Sequence, residues 1–339
     1  MTETYGESIG WGILGTGRIA RSFATNLREV PGARLAAVGS RTPGSAQAFA
    51  TTYGGPDCTA HASYEALVAD PAVDVVYVAT PHTLHLENTR LAFEAGRHVL
   101  CEKPLGVTAA EAQEMVRLAR LHDRFLMEGM WMACHPVVRA VLDRERFGRP
   151  RQVHADLGFI VEATPHDRLL DPGLGAGALL DMGIYPLTFA HLVLGEAAEL
   201  RAVADVSETG IDLDVAIAGR YAGGATAALT TSMTSVSPRS ATVATDRGLL
   251  TLPTPFHHPA FAVWTPSEGA PEQVTGVEPL IGTGLGNEAA EVMRCLREGL
   301  RESPLVPLAQ SVTLIRQLDD LRAQIGVQYE ADRTAGATD

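Results

Sequence analysis

The chain is short of cysteine, of basic charge and of unbroken apolar runs. Its four cysteines, Cys58, Cys101, Cys134 and Cys295, lie far apart and form no Cys-x-x-Cys pair, which excludes a disulfide framework and a zinc cage. Against 40 Asp and Glu stand only 27 Lys and Arg, a net charge of −13. Nucleic acid or an anionic membrane would need a basic footprint, so neither is expected as a partner. Met1 to Glu7 is acidic and lacks the basic-then-apolar order of an export signal. The nearest approach to a membrane span, Leu174 to Leu194, carries Asp181, Pro186 and His191 in its interior. These absences lead to the expectation of a reduced, cytoplasmic protein.

What is present is a globular composition, 46% hydrophobic and 20% charged, in 339 residues. That length suggests two domains, each with its own core. Over the first 130 or so residues, short apolar runs alternate with helical stretches. Strands are expected at Gly10–Leu14, Arg34–Gly39, Val73–Ala79, His98–Cys101 and Arg124–Glu128. The helix from Arg18 repeats Ile19, Phe23, Leu27 and Val30 along one face, and Thr108 with Glu111 has capping-box spacing. This predicts an α/β class with a doubly wound parallel Rossmann domain over residues 8–130. After a helix over His135–Phe147, strand-like runs follow one another: Gln152–Val161, Leu200–Val206, Leu213–Tyr221, Ala225–Thr231 and Ala241–Thr245. Ala222-Gly223-Gly224 is a hairpin signal between two of them. Residues 131–330 therefore read as an α+β domain with a mostly antiparallel open sheet, ending in two helices. Residues 331–339 read as a frayed tail.

Gly15-Thr16-Gly17-Arg18-Ile19-Ala20 stands between the first strand and the first helix as G-x-G-x-x-A. The first glycine permits a tight turn, the second lets backbone approach a pyrophosphate, and the helix N-terminus offers N–H groups to phosphate. At the end of the second strand, Ser40 and Arg41 stand where an NAD site would usually carry an acid. A hydroxyl and a fixed cation suit a 2′-phosphate, so the expected cofactor is NADP, with NAD possible.

Two further stretches, Ala79-Thr80-Pro81-His82-Thr83-Leu84-His85 with Glu102-Lys103-Pro104, and Gly175-Ala176-Gly177 through Asp181-Met182-Gly183-Ile184-Tyr185-Pro186, complete a pattern. With the Gly15 loop, the chain resembles the glucose–fructose oxidoreductase/inositol dehydrogenase (Gfo/Idh/MocA) family. Its D-x-G-x-Y matches the dihydrodiol dehydrogenase and xylose dehydrogenase branch. The resemblance implies that Lys103 is the catalytic lysine, Asp181 the acidic residue and Tyr185 the proton-transfer residue. It places Thr80, Pro81, His82, His85 and Glu102 beside the cofactor with Gly15, Gly17, Arg18, Ile19, Ser40 and Arg41. His82 and Ala176 depart from the family pattern, which commonly has Asn and a glycine run.

The chemistry agrees with the residue types. A free tyrosine titrates at about 10, too high for a base near neutrality unless a cation such as Lys103 stabilises its phenolate. Asp181 and Tyr185, four apart, share a helix face. Asp181 also stands in an otherwise apolar stretch, where it needs a partner or a wet pocket. His85 is expected to satisfy a hydrogen bond at the start of its helix. Trp131, Arg168 and His257 are candidate substrate contacts. No histidine spacing suits a metal.

The expected reaction moves a hydride between the nicotinamide and a secondary alcohol or hemiacetal carbon of a sugar, cyclic polyol or trans-diol. A keto-sugar reductase, or a silent NADP-sensing regulator or scaffold, is the alternative. One sheet face reads Leu213, Val215, Ile217, Ala225, Ala227 and Leu229. Its reverse is small: Ala216, Ala218, Thr226, Ala228, Thr230 and Ser232. Such a face can pack on a copy of itself, and a homodimer or dimer of dimers is expected.

Overall fold

The structure, a computed structural model, describes residues 8–162 and 169–335. The first apolar run forms β1 (Ile9–Leu14), buried throughout, and leads into α1 (Arg18–Leu27), which buries Ala20, Phe23, Ala24 and Leu27. There follow β2 (Ala33–Gly39), α2 (Pro43–Tyr53), β3 (Thr59–His61), α3 (Tyr64–Val68) and β4 (Val75–Val78). Next come a 3-10 turn at His82–Leu84, α4 (His85–Glu94), β5 (His98–Glu102), α5 (Ala109–Leu121), β6 (Leu126–Gly129) and α6 (Trp131–Cys134). The six strands are parallel in the order β3-β2-β1-β4-β5-β6. The order reverses between β1 and β4, the switch point outside which such sheets hold ligands. The Thr108 hydroxyl caps α5 by accepting from Glu111 N at 3.3 Å, while the Glu111 carboxylate reaches back to Val107 N at 2.8 Å.

The expected single helix over His135–Phe147 is instead two, α7 (Pro136–Ala140) and α8 (Arg144–Phe147). The Asp143 carboxylate accepts from Glu145 N and Arg146 N at 3.0 and 3.1 Å, starting a new helix where one would have continued. An eight-stranded sheet follows: β7 (Pro150–Gly158), β8 (Ala197–Val206), β9 (Asp212–Tyr221), β10 (Thr226–Ser232), β11 (Ala241–Thr245), β12 (Gly248–Leu252), β13 (Ala262–Pro266) and β14 (Glu272–Val274). Its order is β14-β13-β12-β11-β7-β10-β9-β8, antiparallel except between β7 and β10. A π-helical turn (Leu179–Gly183) runs into α9 (Ile184–Leu194), which packs on β7 and β10. The stretch Pro172–Leu194 is long and apolar enough to span a membrane, but 83% of its most apolar window is buried inside the protein.

On β9 and β10 the alternation is as expected over most of its length, with Val215, Ile217, Ala227 and Leu229 buried and Ala216, Ala218, Thr226, Ala228 and Thr230 exposed. It fails at the ends. Asp212 is buried while Leu213 is only half so, and Ser232 is buried as well, its hydroxyl accepting from Thr234 N and Ser235 N of the loop that follows.

The chain forms two compact units: the described residues up to Cys134 with Leu280–Val312, and His135–Pro279 with the described residues from Thr313. The late segment thus belongs to the first unit. It contains α10 (Leu285–Arg297), whose buried Leu285, Ala289, Val292 and Met293 pack it with α1 and α6, and the start of α11 (Leu308–Ile325). Of the stretch expected to fray, the described residues 331–335 lie in a helix, α12 (Glu330–Ala335). The Asp332 carboxylate holds it, accepting from Tyr329 N at 2.7 Å and pairing with Arg322 at 2.6 Å.

Candidate active site

In the first unit, Gly15 has φ +97°, and a Cβ there would lie 2.7 Å from the Ala79 carbonyl oxygen. Glycine is therefore required where β1 passes the end of β4. A Cβ on Gly17 would meet nothing within 4 Å, and no side chain caps α1. The first-turn amides of α1, with Arg18 exposed and Ile19 half-buried beside them, thus face open space that fits a pyrophosphate. Ser40 is buried, its hydroxyl accepting from Thr42 N at 3.2 Å, and Arg41 is exposed alongside the Tyr64 hydroxyl.

The Glu102-Lys103-Pro104-Leu105 turn leaves β5 held by buried side chains at three points. The Tyr77 hydroxyl donates to Glu102, and His85 Nδ1 lies 2.9 Å from the Pro104 carbonyl oxygen. Leu105 N donates to Glu128 Oε1 at 2.9 Å, while the Ser311 hydroxyl fixes the other Glu128 oxygen at 2.6 Å. Burial pushes the Glu128 carboxyl above its usual range, and these two hydrogen bonds and the charge of Lys103 pull it back. Glu288, on α10, is fully buried with no hydrogen bond to either carboxyl oxygen. Burial, reinforced by the charge of Glu102, pushes its carboxyl well above the usual range. Lys103 itself is 9% exposed and is the chain's only lysine. On the facing loop, Thr80 accepts from Asn88 through its hydroxyl (3.0 Å) and from His85 Nε2 through its carbonyl (3.0 Å). His82 is 5% exposed, its ring 5.6 Å from that of His85.

His85 therefore does more than satisfy the start of its own helix. It ties together two loops that meet at the carboxyl edge of the sheet. Trp131 is buried in α6, the helix that packs with α10.

In the second unit, Asp181 lies in the π turn and Tyr185 in the first turn of α9, each 8% exposed. Such turns are rare and recur at functional sites. A Cβ on Gly183, between them, would come within 3.1–3.2 Å of the Leu179 and Thr231 side chains, so a larger residue there would press both aside by a few tenths of an ångström. The loop before the turn is fixed by Asp212, which accepts from Leu179 N at 2.6 Å, and by the Tyr329 hydroxyl, which donates to the Ala176 carbonyl at 2.5 Å. A Cβ at Gly177 (φ +137°) would lie 2.3 Å from Asp212 Oδ1, so that loop cannot close with any larger residue. The His257 ring lies 4.9 Å from the Tyr185 ring and 4.5 Å from that of His258. Arg168 lies outside the described residues.

Thr80, His82, His85, Glu102 and Lys103 thus gather at one edge of the first unit, and Asp181, Tyr185 and His257 at one face of the second. Sequence reasoning missed the supports: Tyr77, Asn88, Glu128 and Ser311 in the first unit, Asp212 and Tyr329 in the second.

Residues 9–130 match the family described as "Oxidoreductase family, NAD-binding Rossmann fold", and residues 136–251 match the "GFO/IDH/MocA C-terminal domain". The trans-1,2-dihydrobenzene-1,2-diol dehydrogenase of Mus musculus is 36% identical over 340 residues, covering 95% of this chain and 98% of its own. Among solved structures, the aldose-aldose oxidoreductase of Caulobacter crescentus complexed with glycerol aligns with a TM-score of 0.84 at 25% identity, covering 94% of this chain and 97% of its own. A 3-ketoreductase of Actinomadura kijaniata, in complex with NADP and TDP-benzene, aligns with a TM-score of 0.83 at 26% identity, covering 94% and 98%.

Proposed function

The chain belongs to the GFO/IDH/MocA oxidoreductase family, and from that membership we propose a substrate class, a cofactor preference and a division of catalytic labour. It is an NAD(P)-dependent oxidoreductase acting on CH–OH groups. We propose that the substrate is a secondary alcohol or hemiacetal of a sugar, cyclic polyol or trans-diol, and that NADP is the preferred cofactor. The diol dehydrogenase and the aldose oxidoreductase above support the substrate class. Arg41 after β2, with no acid beside it in Ser40-Arg41-Thr42, supports NADP.

When bound, the nicotinamide supplies the hydride acceptor or donor. Tyr185 takes the hydroxyl proton during oxidation and returns it to the carbonyl oxygen during reduction. Lys103 supplies the positive charge that makes its phenolate accessible, and Asp181 orients the substrate hydroxyls. Gly15, Gly17, Arg18 and Ile19 hold the pyrophosphate, Ser40 and Arg41 the 2′-phosphate, and Thr80, Pro81, His82 and Glu102 border the nicotinamide end. Trp131 and His257 contribute to substrate recognition. The exposed small face of β9 and β10, with Val203 beside it, is the proposed contact in a homodimer or dimer of dimers.

The observation that carries this reading is Lys103, the only lysine of the chain, in a strand-end turn whose neighbouring residues Glu102, Pro104 and Leu105 are held by Tyr77, His85 and Glu128. Lys103→Met and Tyr185→Phe are each expected to lose about a hundredfold or more in kcat on a polyol and aldose panel. NADPH affinity, measured by fluorescence titration, should be retained in both. Near-full turnover in both variants sinks the assignment.

A further inference from the structure

His85 has no exposed surface, and its ring stands between two backbone carbonyls, Pro104 O at 2.9 Å from Nδ1 and Thr80 O at 3.0 Å from Nε2. Neither acceptor can reverse its role, because a carbonyl oxygen only accepts. A neutral imidazole has one N–H and one bare lone pair, so either tautomer would press a lone pair against a carbonyl oxygen. Only the doubly protonated ring donates to both. We propose that His85 is a buried imidazolium strap, tying the Thr80–Pro81 loop to the Lys103–Pro104 turn, and a positioning residue for Lys103. The positioning role rests on the catalytic reading of Lys103.

The surroundings fit such a strap. Thr80 is braced from its other side by Asn88 Nδ2 at 3.0 Å, so the strap pulls against a fixed point. Leu105, next to Pro104, is pinned by Glu128, so movement of the turn is confined to the Lys103 side. His85 opens α4, where the helix dipole disfavours a cation, and Glu87 in the same first turn offsets that. Glu102, two residues before Pro104, brings a carboxylate to the same turn. Losing either donor frees one loop from the other. Since ångström-scale misplacement of a reacting group costs up to about a hundredfold in rate, Lys103 depends on both.

The direct test is nitrogen NMR of protein labelled with 15N-histidine, at neutral pH, with the His85 signals assigned by their loss in His85→Gln. Both ring nitrogens are expected to carry protons; a bare nitrogen overturns the proposal. In kinetics, His85→Phe should lower kcat about tenfold or more, with His85→Gln, which keeps one donor, between it and wild type. The dissociation constant of NADPH should stay within about twofold of wild type in both, because the strap acts on Lys103 and not on the cofactor. Weakened NADPH binding with unchanged kcat would make His85 a cofactor contact and overturn the positioning role. If the wild-type enzyme turned over no polyol, aldose or diol while both nitrogens were protonated, the strap would stand and the catalytic reading would fall.

Discussion

Replacing Asp212 by asparagine is expected to stabilise this protein at neutral pH and to leave it unchanged in acid. Asp212 has no exposed surface. One carboxyl oxygen accepts from Leu179 N at 2.6 Å, and the other is buried without a hydrogen bond. Burial outweighs that hydrogen bond and the charge of Arg322, and pushes the carboxyl from 3.8 up to about 6. A displacement of that size costs the ionised, folded state about 3 kcal/mol. Because the folded value is the higher one, protonated Asp212 contributes fully below pH 3.8. The contribution is lost as pH rises through about 6 and is absent at pH 7.5. Asparagine keeps an acceptor for Leu179 N and never ionises. Asp212→Asn should therefore gain about 1–3 kcal/mol at pH 7.5, and the gain should shrink toward zero near pH 4. Urea unfolding at a series of pH values, with the m-value unchanged between the two proteins, reads this directly. Equal or lower stability at pH 7.5, or a gain undiminished in acid, refutes the reasoning.

Arg41→Ala should weaken NADPH binding about tenfold or more, since charge-assisted hydrogen bonds are worth about 1.5–3 kcal/mol, while NADH binding stays constant in the same fluorescence titration. Arg322 is 2% exposed and pairs with Asp319 at 2.5 Å and Asp332 at 2.6 Å. Arg322→Met should cost about 3 kcal/mol in urea unfolding, the low end for a broken buried pair because both carboxylates keep some solvent. Ser63→Ala removes the hydroxyl that caps α3 through Ala66 N at 3.1 Å and should cost about 1 kcal/mol in thermal unfolding. Val203, 72% exposed on the open sheet face, should as glutamate turn the proposed oligomer into a monomer by light scattering.

The parallel sheet was legible because its signals are local. Gly15 is demanded by a backbone angle, and apolar runs alternating with helical periods leave little else to build. The second sheet was legible where strands are long and alternate, as in β9 and β10. It was not at β12, β13 and β14, five, five and three residues long and set among Pro and Gly. Nothing in the order of residues says which core an amphipathic helix joins, so the return of α10 to the first unit went unread. The supports of the candidate site were hidden for a related reason. Ser311 meets Glu128 across 183 positions and Tyr329 meets Ala176 across 153, and no spacing rule spans such distances. One signal was present and unused: histidine aside, arginine supplies every other basic side chain, so the single lysine marks a position that calls for a compact amine and not a planar guanidinium.

That single lysine makes amine chemistry on this protein address one side chain. Any α-amine aside, reductive dimethylation with 13C-formaldehyde would label Lys103 alone and yield one resonance from the Glu102-Lys103-Pro104 turn. Its 9% exposure makes labelling slow until the turn opens, so the rate of modification measures that opening, and slower labelling with cofactor present would report closure over it. For the same reason, coupling the enzyme to a support through lysine would consume the group proposed to drive its chemistry, and coupling through the many surface carboxylates is the sounder route.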